Sequence, residues 1–117
     1  MLGVLGASIM KNMFGEEIET KLKGRDPLNE IIEYAHKKNI KVFAWFEFGF
    51  SPSHEKSNQT ILEKKPEWTA IGADGNPVVK NGFYWMNGFN PEVQDFMLSL
   101  ILEVVNNYNV DGIQGDD

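Results

Sequence analysis

The sequence of 117 residues contains no cysteine, which excludes a disulfide framework and a thiolate metal site. It also lacks an apolar stretch long enough to span a bilayer, and no basic residue precedes the mildly apolar opening MLGVLGASIM. We therefore expect no signal peptide within this sequence and no membrane partner. The cellular compartment stays open.

Positive charge is scarce as well. Eleven Lys and Arg residues face seventeen Asp and Glu residues, giving a net charge of −6, and the basic residues are scattered. Because binding to a nucleic-acid backbone needs concentrated positive charge, we expect no nucleic-acid partner. The two histidines, His36 and His54, are not spaced like a metal-ligand motif. We accordingly predict neither a metal nor a cofactor.

Secondary-structure signals begin at Asp26 and Pro27, since aspartate caps a helix and proline fits its first position. Asn39 can take the left-handed conformation that ends a helix. The run IKVFAWFEF over 40–48 is apolar and aromatic without a break, which is typical of a strand buried on both faces of a parallel sheet. Residues 1–25 are predicted to form an irregular lead-in.

The same order of elements recurs later in the chain. Asn90-Pro91 begins a helix with apolar residues every three or four positions, Asn109 ends it, and a short strand is predicted over 110–116. Two helix-to-strand units in succession indicate an α/β protein with parallel strands.

About forty residues separate the first strand from the second helix, far more than an ordinary βα connection. Within them ADGNP, residues 73–77, predicts a turn in a small hairpin. A long, aromatic-rich βα loop is typical of (β/α)8 barrels, whose active sites are built from such loops. We predict that residues 26–117 form part of a (β/α)8 TIM barrel.

Acidic residues stand where the predicted strands end. Asp116 follows the second strand and Glu47 ends the first, and catalytic side chains of parallel α/β proteins lie at that rim. Asp116 is interpreted as a nucleophile or acid/base group, with helix capping as the alternative. Glu47 would bind substrate hydroxyls or act as an acid/base group, unless it is a hydrogen-bonded structural acid. Asp117 would support the site or face solvent, and Asp111, at the opposite rim, is predicted to be a structural cap.

Aromatic side chains surround the same predicted rim. Sugar rings stack on aromatic faces while their hydroxyls bind Asp, Glu, Asn and His, so these residues indicate a carbohydrate ligand. The alternative is that the rings pack the long loop onto the barrel. Trp45, Trp68 and Trp85 are the predicted contacts, and His54 is a weaker one, whereas His36 is interpreted as structural. The rim aromatics are Trp45, Phe48, Phe50, Trp68, Phe83, Tyr84, Trp85 and Phe89.

Three stretches in order, DPLNEIIEYAHKKNIKVFAWFEFGF, KKPEWTAIGADGNPV and FYWMNGFNPEVQDFMLSLILEVVNNYNVDGIQGDD, resemble the glycosyl hydrolase-like 10 family over residues 26–117. The family comprises bacterial (β/α)8 proteins distantly similar to α-amylase-type glycosidases. The resemblance implies that Asp116 matches the first acid of a strand-end Asp-Asp, which is the nucleophile in the amylase-like pattern. It also aligns Asn87 with a family asparagine. Gln114 departs from the usual histidine, and Gly88-Phe89 stands where the family continues from the asparagine into proline.

The resemblance implies a glycoside hydrolase acting on O-glycosidic bonds of an oligo- or polysaccharide. Retaining glycosidases need two carboxyls about 5–5.5 Å apart, and the proton donor of amylase-like barrels comes from a following strand. We therefore expect this sequence to be a fragment of a longer protein and to be inactive alone. Open sheet edges would favour self-association. The alternatives are a non-catalytic carbohydrate-binding protein, a structural remnant and, more weakly, a phosphoacceptor domain.

Overall fold

The computed structural model describes residues 24–46, 50–55 and 60–115. In chain order its helices and strands are α1 (Pro27–Lys37), β1 (Phe43–Phe46), β2 (Ser53–His54), α2 (Thr60–Lys64), a 3₁₀ turn (Pro66–Trp68), β3 (Val79–Lys80), β4 (Phe83–Tyr84), α3 (Pro91–Asn107) and β5 (Gly112–Gly115). Two helix-to-strand units, α1–β1 and α3–β5, are separated by a long segment with short helices and strands of its own.

Local capping chemistry sets the ends of α1. Asp26 Oδ1 accepts a hydrogen bond from the Asn29 backbone N–H over 3.2 Å, and Pro27 occupies the first turn. The helix ends before Asn39, whose φ of 56° is left-handed. Both predicted boundaries are confirmed.

The second long helix, α3, also begins as predicted. Asn90 Oδ1 accepts a hydrogen bond from the Glu92 N–H over 2.9 Å, and the helix runs to Asn107, two residues before the predicted end. Val93, Phe96 and Val104 are buried, as the apolar spacing predicts. None of the described helices combines the length and apolarity that crossing a membrane requires.

Strands β1 and β5 pair in parallel, with Phe43 opposite Gly112 and Phe46 opposite Gly115. This confirms the predicted parallel α/β arrangement. Both strands are shorter than predicted over 40–48 and 110–116, although positions 47–48 and 116 lie outside the described residues.

The faces of β1 differ from the prediction that both are buried. Ala44 is 3% exposed, whereas Phe43 is 60% and Trp45 is 53% exposed. Successive strand residues point to opposite faces, so one face of β1 is covered and the other is open in this chain. An unbroken apolar run predicts two covered faces only if the chain supplies a cover for both.

The long segment between β1 and α3 folds as an antiparallel sheet in the order β2-β4-β3. The ADGNP hairpin is confirmed, because the Gly72 N–H donates to Asn76 O and the Val78 N–H donates to Ala70 O, each over 2.8 Å. A second hairpin, between β3 and β4, was not predicted. Its turn residues Asn81 and Gly82 have φ of 55° and 80°. The Asn-Gly dipeptide is the sequence signal that identifies such a turn.

The described residues form two compact units. Residues 24–46 and 98–115 make up the first, which we call the strand unit because it holds β1 and β5. Residues 50–55 and 60–97 make up the second, which we call the loop unit.

Candidate functional site

The carboxyl ends of β1 and β5 meet at one edge of the strand unit, where Phe46 and Gly115 are register partners. In the sequence, Glu47 directly follows Phe46, and Asp116 and Asp117 directly follow Gly115. These three predicted site residues lie outside the described residues. The predicted acids therefore come next in the sequence after the two strand ends that meet at this edge.

One further predicted contact lies on this pair of strands. Trp45 is opposite Gln114, and about half of its surface is exposed. An exposed indole near the carboxyl end of a parallel strand is available for stacking against a ligand.

The opposite edge of the strand unit is held by Asp111. Its Oδ2 accepts a hydrogen bond from the Val42 N–H over 2.8 Å and lies 2.8 Å from His36 Nε2, while Lys41 Nζ lies 3.7 Å from Oδ1. The Asp111 N–H donates to Val42 O over 2.8 Å. The Val42 N–H, and then His36, hold the pKa of Asp111 below its ordinary value. These contacts give Asp111 and His36 structural roles at the amino ends of the strands.

Within the loop unit, Trp68 is a core residue. It is 2% exposed, and its Nε1 donates to Glu92 Oε2 over 2.9 Å. The indole packs at 39° to the ring of Phe96, with 5.1 Å between centroids, and Lys65 Nζ lies 5.5 Å from the Trp68 ring centroid. A ring covered in this way offers no free face to a sugar, so its position does not support the predicted contact.

His54 belongs to β2 and is half-buried. Its ring meets Phe83 edge-on, with 5.0 Å between centroids and an interplanar angle of 89°. A Cβ added to Gly82 would lie 2.6 Å from His54 Nε2, so the imidazole packs closely over the β3–β4 turn. Among the described residues, no three His, Asp or Glu side chains are grouped in a way that could hold a metal ion.

Trp85 and Asn87 are brought together in an open depression of about 330 Å³ in the loop unit. Trp85 is half-buried, and its Nε1 is buried without a hydrogen-bond partner in the described part of the chain. A buried donor without an acceptor is unfavourable. The depression is lined by Ala70, Ile71, Val78, Trp85, Met86, Asn87, Gly88 and Phe89.

Phe89, which the sequence analysis placed among the rim aromatics but not among the contacts, is 93% exposed beside this depression. The signal for it was its place in the turn Asn87-Gly88-Phe89-Asn90, where an aromatic side chain stands between turn-forming residues.

The strands and their connections define an α/β protein with parallel strands. A maltogenic α-amylase, AmyB from Thermotoga neapolitana, has a similar fold, with a TM-score of 0.59 and 23% identity. The similarity covers 77% of this chain and 21% of the amylase.

The glycosyl hydrolase-like 10 family model matches residues 8–117, and the chain belongs to this family. Glycosyl hydrolase YngK from Bacillus subtilis (strain 168) is 34% identical over 105 residues, which cover 86% of this chain and 19% of YngK. Glycosyl hydrolase DigH from Escherichia coli (strain K12) is 33% identical over 107 residues, which cover 80% of this chain and 23% of DigH. The chain spans about a fifth of the length of these relatives, and the resemblance found in the sequence is confirmed.

Proposed function

We propose that this chain forms part of a (β/α)8 glycosidase barrel that hydrolyses O-glycosidic bonds of a carbohydrate, with Asp116 as the nucleophile. The observation that carries the proposal is the parallel, in-register pairing of β1 with β5. Their last described residues, Phe46 and Gly115, directly precede Glu47 and Asp116. In (β/α)8 enzymes the catalytic side chains follow the carboxyl ends of the strands. Membership of a glycosyl hydrolase-like family supports this chemistry.

The reaction assigns each acid a distinct task. In a retaining glycosidase the Asp116 carboxylate would attack the anomeric carbon and displace the leaving sugar, which a second carboxylic acid protonates. Water would then hydrolyse the covalent glycosyl-enzyme, with the second acid acting as base. Glu47, which directly follows β1 in the sequence, would bind substrate hydroxyls. We assign the proton donor to a strand outside this chain, by analogy with amylase-like barrels.

Carbohydrate contacts are proposed for both units. Trp85 and Asn87 line the depression of the loop unit, which offers an aromatic face and an amide for a sugar ring and its hydroxyls. Trp45, with its exposed indole, would supply a second stacking face. His54 and Asp117 stay proposed contacts on the basis of the sequence.

The test is to replace the nucleophile in the full-length protein. Asp116→Asn should lower kcat for aryl glycosides about a thousandfold or more, because amide nitrogen and oxygen are poor nucleophiles. Asp95→Asn, which removes an exposed carboxylate from α3, is the matched control and should leave kcat unchanged. Azide added to Asp116→Gly should restore turnover and yield a glycosyl azide of inverted configuration. Full activity of Asp116→Asn would overturn the assignment.

A second candidate is a carbohydrate-binding protein without catalytic activity. The aromatic depression of the loop unit favours it, because that surface contains no catalytic carboxylate among its lining residues. Saccharide binding without turnover in both the unchanged protein and Asp116→Asn would support this candidate. Binding that persists in Asp116→Asn while turnover is lost would support the enzyme.

A further inference from the structure

Phe89 is exposed to an unusual degree. At 93% it is the most exposed large apolar side chain in the described part of the chain. Leaving an aromatic ring in water forgoes the free energy that its burial would supply. Contiguous exposed apolar surface marks interaction sites, and Phe89 adjoins the exposed side chains of Ile71 and Val78 in the same depression.

The backbone that carries Phe89 is fixed by Asn87. The Phe89 N–H donates to Asn87 Oδ1 over 3.0 Å, which makes an Asx turn, and the Asn90 N–H donates to Asn87 O over 3.0 Å. The Asn87 N–H in turn donates to the carbonyl of buried Trp68 over 2.7 Å. Asn87 therefore anchors the turn to the core of the loop unit.

Two more contacts hold the turn from either side. Gln94 Nε2, on α3, donates to Gly88 O over 2.8 Å. A Cβ built on Gly88 would lie 3.7 Å from the ring of Phe50, so this part of the turn rests against an aromatic side chain. Because the turn is ordered before any ligand binds, little backbone entropy would be lost on binding.

The surroundings of Phe89 select the class of ligand. The depression combines the rings of Phe89 and Trp85 with the side chain of Asn87. A pyranose ring has apolar faces for the aromatic rings and hydroxyls around its edge for the polar groups. The volume of about 330 Å³ is at the low end for ligand sites, as suits one or two sugar rings.

We propose that Phe89 is a substrate-binding residue that stacks on a hexopyranose unit of the carbohydrate, with Asn87 as the positioning residue that holds its turn. The class of ligand rests on the proposed function.

The test measures saccharide binding and turnover in the full-length protein. Maltohexaose, cellohexaose and N-acetylchitohexaose are titrated by calorimetry, and kcat and KM are measured for each one that is hydrolysed. Phe89→Ala should raise the Kd and KM for the bound hexasaccharide about threefold to tenfold, the scale of one aromatic contact. The kcat should change less than about twofold, because stacking on a sugar ring stabilises the bound substrate and the transition state alike.

Matched variants separate stacking from a general loss of structure. Phe89→Trp should bind as tightly as the unchanged protein, and Tyr34→Ala, which removes another exposed aromatic ring, should leave Kd and KM unaltered. Asn87→Ala loses the oxygen that accepts the Phe89 N–H and should raise KM. Asn87→Asp keeps an oxygen at this position and should have the KM of the unchanged protein. A thermal melt of each variant shows whether it folds.

Each outcome decides the proposal. Unchanged Kd and KM in a folded Phe89→Ala would overturn it, as would failure of the unchanged protein to bind any of the three hexasaccharides. If Phe89→Ala has no effect while Asp116→Asn is inactive, the stacking role fails and the glycosidase stands. If Phe89→Ala weakens binding while no form shows turnover, the stacking role stands and the glycosidase fails.

Discussion

Asp111 Oδ2 lies 2.8 Å from His36 Nε2, although 75 residues separate the two in sequence. The same oxygen accepts the Val42 N–H, so the carboxylate just before β5 is bound both to α1 and to the residue that precedes β1. This connection stands at the amino ends of the strands, opposite the edge where the catalytic acid is proposed.

The first prediction concerns Asp111 and acid. Its pKa is held below the ordinary value of an aspartate, chiefly by the Val42 N–H and then by His36, so the ionised form is favoured in the folded state. That stabilisation is complete above the ordinary pKa and is lost as pH falls through the lowered one. Asp111→Asn should therefore lower the free energy of unfolding at neutral pH, and the difference from the unchanged protein should shrink in acid.

Urea denaturation at a series of pH values measures this effect. Asp95→Asn, at an exposed position on α3, is the control and should track the unchanged protein throughout. A difference between Asp111→Asn and the unchanged protein that stays constant down to low pH would contradict the role assigned to the charge.

The second prediction concerns alkali. Tyr108 donates its hydroxyl proton to Asp26 Oδ2 over 2.7 Å, and burial, followed by this bond and the nearby acids, raises the Tyr108 pKa to about 12. Since the folded pKa exceeds the ordinary tyrosine value of 10.0, this contribution to stability is complete below pH 10 and is lost as pH rises toward 12. Tyr108→Phe should remove that alkaline loss.

Ultraviolet titration of the tyrosines follows the same group directly. Tyr108→Phe should abolish the component that ionises last, whereas Tyr34→Phe, at an exposed position on α1, should leave that component in place. Persistence of the late component in Tyr108→Phe would show that it belongs to another residue.

The third prediction compares two glycines with the same backbone conformation. Gly75 and Gly82 both have φ of 80°, but a Cβ has nothing within 4 Å at Gly75 and meets His54 Nε2 at 2.6 Å at Gly82. Gly75→Ala should cost about 1 kcal/mol for the left-handed conformation alone. Gly82→Ala should cost about 2 kcal/mol or more, because His54 must also move.

Thermal or urea unfolding of both variants gives the comparison. Repeating Gly82→Ala in a His54→Ala background should bring its cost close to that of Gly75→Ala. Equal costs in the original background would mean that the imidazole does not pack over the turn.

The fourth prediction distinguishes a buried aromatic residue from an exposed one. Trp68→Ala should lower the free energy of unfolding by about 3–5 kcal/mol, since it empties a core site. Trp68→Phe keeps the packing against Phe96 and loses mainly the bond to Glu92, a cost of about 1 kcal/mol. Phe89→Ala, on the surface, should change stability by less than about 0.5 kcal/mol. Similar costs for Trp68→Ala and Phe89→Ala would refute the burial assignment.

Sequence patterns identified the features that depend on local chemistry. Asp26, Asn39 and Asn90 specify helix ends through their own side chains and backbone conformations, so the sequence predicts them without knowledge of the fold. The parallel pairing of β1 with β5 followed from the repeated helix-to-strand order. Asn81-Gly82 carried an equally local signal that the sequence analysis did not use.

Burial could not be predicted in the same way. Trp68 and Trp85 are the same residue type in the same long segment, yet one is in the core and the other lines a depression. The difference comes from what α3 presents to Trp68, a carboxylate and an aromatic ring many positions away in sequence. For β1, the apolar run was correctly identified as a strand, but only the coordinates show that Phe43 and Trp45 are exposed.

Gly112 lies against the ring of its register partner Phe43, which occupies the space that a Cβ at position 112 would need. The Phe43 ring and a side chain at position 112 would therefore compete for the same space between the two paired strands. Homologues with a side chain at position 112 should carry a smaller residue at position 43, and covariation between these two positions would record the constraint.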